Sequence, residues 1–349
     1  MSESIFMLSI EEKVDLLKSI AEDIQGGDSL RDLLNTKPNF VAYNGFEPSG
    51  RMHIAQALVT TINTNIITSV GGTMILYIAD LFAQLNHKMG GDMDKIREVG
   101  QYFVEVFKAC GMDQSKVQFI WSSDFIQNHQ QEYFELVNDI SSFSTLSRIK
   151  RTVTIMGRKE GDSLSTSQLL YPCMQAADVF LLGVDICQLG IDQRKVNMLA
   201  IEYANSIKQK PPVILSHHML MGLKGKENKM SKSDPMSAIF IEDSREDIFR
   251  KIHAAFCPAV ANDNPLFEYL KYIILRKIPE IEIHGVVYRS ASEIENCFSD
   301  IMSSEESINS FRDAVANAVD SLIQPVRDHF SKPELSELLK RVESYRVTR

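Results

Sequence analysis

The chain has 349 residues, of which 44% are hydrophobic and 24% charged, and a formal net charge of −9. That length and balance fit a globular protein of about two domains at roughly 150 residues each. They exclude nucleic-acid binding through the whole surface, so any polyanion site has to be a local basic patch.

The N-terminal Met1-Ser2-Glu3-Ser4-Ile5 lacks the basic n-region of a secretory signal, and Glu11, Glu12, Asp15, Glu22 and Asp23 argue against a transit peptide. No apolar run reaches the length of about 18 residues that a membrane span needs. Cys110, Cys173, Cys187, Cys257 and Cys297 are odd in number, and no two stand at a C-x-x-C spacing. Reduced thiols in the cytoplasm are expected, with neither a disulfide framework nor a structural metal.

Apolar Ile10, Val14, Leu17, Ile20 and Ile24 recur at helical spacing and predict a helix over 10–25. Phe40-Val41-Ala42-Tyr43 reads as a short strand, followed by a Gly45–Gly50 turn and a helix from about His53 to Thr68. Thr73-Met74-Ile75-Leu76-Tyr77-Ile78-Ala79 reads as a strand buried on both faces. A helix through Ile96, Val99, Phe103, Val106 and Cys110 precedes a strand at Val117–Trp121. Segments 131–158 and 164–182 read as helices, with strands near Asp185 and at Val213-Ile214-Leu215. This alternation predicts an α/β fold, a parallel sheet with helices on both faces and ligands beyond the carboxyl ends of the strands. Beyond Ser233 the pattern turns helical (244–259, 262–276, 291–303, 306–331 and 333–345), with strand character only around Ile281–Tyr288. A boundary near Asp234-Pro235 divides 1–233 from 234–349.

Two separated segments carry phosphate chemistry. Gly45-Phe46-Glu47-Pro48-Ser49-Gly50-Arg51-Met52-His53-Ile54-Ala55-Gln56 joins a strand to a helix through a turn that lets the backbone approach a ligand. The helix N-terminus beyond it favours phosphate oxygens. Lys229-Met230-Ser231-Lys232-Ser233 follows the glycine-containing stretch 222–226 and puts two ammonium groups and two hydroxyls in five residues. A loop of this kind can deliver charge to a polyphosphate as its transition state forms. Alone, the first is a tight turn and the second a solvated charge cluster. A third pattern, Tyr171, Gln175 and Asp178 at i, i+4 and i+7, puts a phenol, an amide and a carboxylate on one helical face. That face could line a pocket for a small polar aromatic molecule, or could be a buried helix with satisfied polar tips.

The two phosphate motifs in this order resemble the "HIGH" and "KMSKS" signatures of class I aminoacyl-tRNA synthetases. The second is a full match. The first keeps His53-Ile54 and replaces the usual Gly-His with Ala55 and Gln56. With Ala79-Asp80-Leu81, residues 171–178 and Gly190-Ile191-Asp192-Gln193-Arg194-Lys195, the chain is similar to tyrosyl-tRNA synthetases of the archaeal and eukaryotic cytoplasmic type over about residues 30–345. The resemblance implies a Rossmann-like catalytic domain and a mainly helical anticodon-binding domain. It implies activation of L-tyrosine by ATP, with Mg²⁺ on the departing pyrophosphate, and transfer to tRNA(Tyr).

In residues, it implies His53, Gln56, Lys229 and Lys232 as the catalytic set, and Gly45, Ser49, Gly50, Met230, Ser231 and Ser233 beside them around ATP. Asp178 and Tyr43 would meet the phenolic hydroxyl of tyrosine, and Tyr171, Gln175, Gln193 and Glu47 its ammonium group. Phenylalanine, lacking that hydroxyl, would leave buried polar groups unpaired. Phe82 stands where many relatives have His. Basic Arg148, Lys150, Arg151, Arg158 and Lys159 would face the tRNA acceptor stem, and the insertion around 110–160 would join two copies as a homodimer. Three alternatives stay open: a tryptophanyl enzyme, whose substrate indole N–H could also donate to a carboxylate; a non-catalytic RNA-binding module, which Ala55 and Gln56 invite; and a small-molecule nucleotidyltransferase, which would leave the long helical C-terminal region without a purpose.

Overall fold

A computed structural model of the chain describes residues 8–27, 29–158, 161–225, 230 and 234–345. Helix α1 (Ile10–Ser19) opens with a capping box in which Ser9 and Glu12 satisfy each other's backbone N–H groups. Strand β1 (Asp23–Gln25), helix α2 (Ser29–Thr36) and strand β2 (Val41–Phe46) follow. A π-turn at Ala55–Val59 leads into α3 (Thr60–Ser69), then β3 (Thr73–Ile78), α4 (Asp80–Leu85), α5 (Met93–Ala109) and β4 (Val117–Trp121). Helices α6 (Ser122–Asn128), α7 (Gln130–Phe143), α8 (Leu146–Thr152) and α9 (Thr166–Leu181) lead to β5 (Ile186–Cys187), α10 (Arg194–Ser206) and β6 (Val213–Ser216).

Six strands form one sheet in the order β1-β6-β5-β2-β3-β4. All neighbours run parallel except β1, which lies antiparallel on β6 with Ile24 opposite Leu215. The chain winds outward from β2 through β3 to β4, then returns to the other side of β2 with β5 and β6. The crevice between β2 and β5 is therefore the switch point where such sheets bind ligands.

After the sheet, α11 (Arg245–His253) and α12 (Pro265–Tyr269) lead through a π-turn at Leu270–Ile274 into α13 (Leu275–Lys277). A hairpin of β7 (Ile281–Ile283) and β8 (Val286–Tyr288) precedes α14 (Ala291–Asn296), α15 (Phe298–Ile301), the long α16 (Glu305–Phe330) and α17 (Pro333–Ser344).

The structure departs from the sequence reading in three ways. The helix over 10–25 stops at Ser19, because Ile24 is used at the sheet edge and its helical spacing from Ile20 is incidental. The helix over 131–158 is broken at Ser144, whose backbone is extended, and Thr145 then caps α8 by accepting from the Arg148 N–H. Helices α2, α4, α6 and α10 stand outside the elements read from sequence.

Strand periodicity sorts the interior. In β3, Met74 and Leu76 join a core that runs into the C-terminal helices, while Ile75 and Tyr77 join a second core on the opposite sheet face. In β2, Ala42 and Tyr43 divide the same way, so Tyr43 and Tyr77 share a face. That face carries the candidate site.

Candidate active site

Gly50 takes a left-handed backbone at φ 107°, which ends the turn after β2 at a conformation side chains resist. The following residues then pair antiparallel with a segment from far downstream. Ile54 N–H donates to Ile239 O at 2.9 Å, Ile241 N–H donates to Met52 O at 3.0 Å, and His53 bridges to Phe240. His53 therefore precedes the helix and does not form its first turn. Its Nδ1 accepts from the Gln56 backbone N–H at 3.2 Å, which places the ring proton on Nε2, the tautomer suited to donating to an oxyanion. Lys229, Ser231, Lys232 and Ser233 lie outside the described residues; Met230 packs against the main core. The ends of their stretch are tied together, with Leu223 N–H on Ser237 O at 2.8 Å and Lys224 on Asp234 at 2.6 Å.

Beside the pairing lies a buried ionic group. Arg51 reaches Glu242 at 3.0 Å and Asp243 at 3.4 Å and sits 4.4 Å over the Phe240 ring. The Tyr102 hydroxyl donates to Glu242 and accepts from the Met52 N–H at 3.0 Å. These groups hold the phosphate-type turn against the chain that follows the Lys229–Ser233 segment.

Across the switch point, α9 begins with a Ser165/Gln168 capping box and brings Tyr171, Gln175 and Asp178 to one buried side. The Tyr171 hydroxyl donates to Glu47 at 2.7 Å, and Asn86 donates to both Glu47 oxygens at 3.1 Å. Gln175 donates to Gln193 at 3.2 Å, and Gln193 donates to Ile155 O at 3.0 Å. Asp178, only 1% exposed, accepts from the Tyr77 hydroxyl at 2.9 Å. Burial pushes its carboxyl well above the usual range, and hydrogen bonds from Tyr77 and Tyr133 oppose that rise. Burial also raises the Tyr43 phenol, with the Cys187 and Asp178 charges adding to it, while a hydrogen bond with Gln175 works against it. Phe82 makes ring contacts here, edge-on to Tyr171 at 4.8 Å and to Tyr77 at 6.3 Å. Tyr77, Tyr133, Asn86 and Lys88, which lies 3.6 Å from Glu47, are absent from the sequence-derived set. Tyr77 was hidden in an apolar strand, where a phenol reads as packing. Asp80 serves structure, accepting from Ser122 Oγ at 2.7 Å and the Ser123 N–H at 2.9 Å.

The basic segment is less uniform than its sequence suggests. Arg148 pairs with Glu202 at 3.0 Å, and Arg158 donates to Asn86 Oδ1 at 3.2 Å. Lys150 and Arg151 are exposed, and Lys159 lies outside the described residues.

The family model described as tRNA synthetases class I (W and Y) matches residues 35–324. The chain is 49% identical to tyrosine–tRNA ligase 1, cytoplasmic, of Arabidopsis thaliana, over 97% of this chain and 90% of that protein. It is 34% identical to the tyrosine–tRNA ligase of Pyrococcus abyssi, over 96% of this chain and 99% of that one. Among solved structures, the Leishmania major tyrosyl-tRNA synthetase in complex with tyrosinol superposes with a TM-score of 0.92 at 44% identity over 97% of this chain. The match covers 61% of the Leishmania chain, so this chain spans about three fifths of that relative's length. With the switch-point crevice and its motifs in the same order, these likenesses settle the family: the chain belongs to the tyrosyl-tRNA synthetases, in the class I group that also holds the tryptophanyl enzymes.

Proposed function

We propose that the chain ligates L-tyrosine to tRNA in two steps. A carboxylate oxygen of tyrosine attacks the α-phosphorus of ATP. The bond to the β-phosphate oxygen breaks, and tyrosyl-adenylate and pyrophosphate form. A ribose hydroxyl of the terminal adenosine of tRNA then attacks the tyrosyl carbonyl and AMP leaves. No side chain acts as nucleophile, so positioning and charge stabilisation supply the acceleration.

The observation that carries the reading is the buried Asp178 carboxylate at the switch point, lined by phenols and unpaired with any cation among the described residues. Such an acceptor suits a substrate that brings its own hydroxyl donor. Tyr43 and Asp178 would meet the phenol; Tyr171, Gln175, Gln193 and Glu47 would surround the ammonium group. His53 Nε2 and Gln56 would face the phosphates, with Gly45, Ser49 and Gly50 shaping the approach. Lys229, Lys232 and their neighbours Met230, Ser231 and Ser233 would close on the phosphates from the other side. Among the described residues no group of three or more His, Cys, Asp or Glu side chains could hold a metal ion. Mg²⁺ in this reading arrives on the nucleotide phosphates, as it commonly does, and needs no protein cage.

Residues 1–233 serve as the catalytic part and 234–349 as the anticodon-binding part in this reading; the main core running through both supports a rigid junction. Exposed Lys150 and Arg151 suit phosphate contact with tRNA. A homodimer through 110–160 is supported by Phe134, 74% exposed, and Leu146, 60% exposed, in that stretch. We place the chain in the cytoplasm, as the names of two Arabidopsis relatives do for those proteins. The test is ATP–pyrophosphate exchange by purified protein. Tyrosine is expected to drive it. Exchange driven by tryptophan, or none with either amino acid, overturns the reading.

A further inference from the structure

Asp178 is held by more than the family resemblance assigns to it. Tyr77 Oη donates to Asp178 Oδ1 at 2.9 Å, from β3 on the other side of the pocket. The Tyr133 hydroxyl, from α7, acts on Asp178 from a second side and donates to Met174 O at 3.2 Å. Tyr77 has little freedom to leave. It is 1% exposed and edge-on to Tyr43 at 6.3 Å, Phe82 at 6.3 Å and Phe125 at 6.2 Å. Register fixes it further, since Tyr77 lies opposite Gly45 across the β2–β3 ladder.

An ionised carboxylate offers about four acceptor positions. The resident Tyr77 hydroxyl uses one, which leaves room for a substrate hydroxyl. We propose that Tyr77 is a specificity-determining residue for tyrosine: its hydroxyl pins one oxygen of Asp178 and keeps the carboxylate an acceptor for the substrate phenol. This inference rests on the proposed function and extends it to a residue outside the motifs.

The groups that face Asp178 are Tyr77 from β3, Tyr133 from α7, Tyr43 from β2 and Tyr171 from its own helix. Cys187 lies beyond Tyr43, its thiol raised by burial. Burial raises all of these phenols, so Asp178 is the group of this cluster whose charge its neighbours decide. Burial favours its neutral form and the phenolic donors favour its charged form. With the Tyr77 hydroxyl gone, the carboxyl titrates at higher pH. A protonated Asp178 is a poorer acceptor for tyrosine and penalises phenylalanine less.

The experiment measures kcat/KM for tyrosine in pyrophosphate exchange from about pH 5.5 to 8.5, in wild type and Tyr77→Phe. A lost hydrogen bond to a charged group corresponds to a factor on the order of ten or more. Tyr77→Phe is therefore expected to lose about ten-fold at the acid end, to recover as pH rises, and to keep KM for ATP. Its preference for tyrosine over phenylalanine should fall by a similar factor. An acid limb at the same pH in both proteins overturns the inference, as does an equal loss at every pH. Should Tyr77→Phe fail to fold, calorimetry of tyrosine binding to wild type in buffers of different ionisation enthalpy carries the test. No net proton exchange near pH 7 supports an ionised Asp178; release of about one proton overturns it. Wild type lacking any tyrosine-dependent exchange would instead sink the proposed function.

Discussion

Lys251→Met probes the joint that ties the phosphate-type turn to the downstream chain. Lys251, on α11, is 3% exposed, and its Nζ lies 2.5 Å from Asp243 Oδ2 and 3.1 Å from Ala238 O. Asp243 also accepts from the Phe240 N–H at 2.9 Å, and Arg51 stands 3.4 Å from its other oxygen. Methionine keeps much of the volume and removes the charge. At an effective dielectric of about 20, a pair at this separation attracts by about 7 kcal/mol gross. Leaving the lysine unburied returns part of that, and removal of one partner of a buried pair costs about 3–5 kcal/mol. The variant should lose that much stability in urea unfolding. Segment 239–241 pairs with 52–54, so pyrophosphate exchange should slow as well. Adding Asp243→Asn should make the double variant less damaged than the two single losses summed, by about 1 kcal/mol or more, because the buried carboxylate left with Arg51 as its one remaining cation among the described residues is then gone. A single-variant loss under about 1 kcal/mol, or strict additivity, would refute the reasoning.

Gly100→Ala should destabilise despite alanine's better helix propensity. A Cβ there would stand 2.6 Å from two Trp121 ring atoms and 2.9 Å from Ile78. Overpacking of this kind costs about 1–3 kcal/mol, so a lower Tm is expected and an unchanged one counts against it. The adjacent histidines should act oppositely with pH. Burial, with His218 nearby, pulls His217 down to about 4, so its contribution is whole above the usual imidazole value and is lost as pH falls towards 4. Burial also works against His218, but Glu268 at 2.8 Å and Glu22 at 3.0 Å outweigh it and raise that group. Its contribution is whole below the usual value and is lost as pH rises through the raised one. Urea midpoints against pH should show His217→Asn flattening the acid side and His218→Gln the alkaline side. Lys232→Ala should slow adenylate formation about a hundred-fold in single turnovers while tyrosine affinity holds; exchange at the wild-type rate would remove Lys232 from the assigned set.

Much of the architecture could be read from residue patterns, and the departures share a cause. The all-apolar β3 and the alternation of strands with helices sufficed for a parallel sheet, because burial on both faces leaves a continuous hydrophobic run. Ile24 misled because its spacing from Ile20 suits a helix, and only Leu215, far along the chain, makes it a strand residue. His53 was read as a helix start, and it caps that helix, its carbonyl accepting from the Ala57 N–H and its ring from the Gln56 N–H at 3.2 Å. Its bridge to Phe240 was not foreseen, because a partner so distant leaves no local trace. The basic run gave no hint that Arg148 pairs with Glu202 or that Arg158 donates to Asn86, both far from it in sequence.

The chain's composition and motifs determined its fold class, its family resemblance and the polar face of α9. Those are properties of short stretches, set by residue type and period. Tertiary structure alone decided that the Tyr77 phenol from β3 donates to Asp178 on α9, that β1 runs antiparallel, and that His53 bridges to Phe240. Periodicity states which side of an element is buried. It is silent about which distant element lies on that side, and long-range hydrogen bonds and the pKa shifts of buried groups depend on that neighbour.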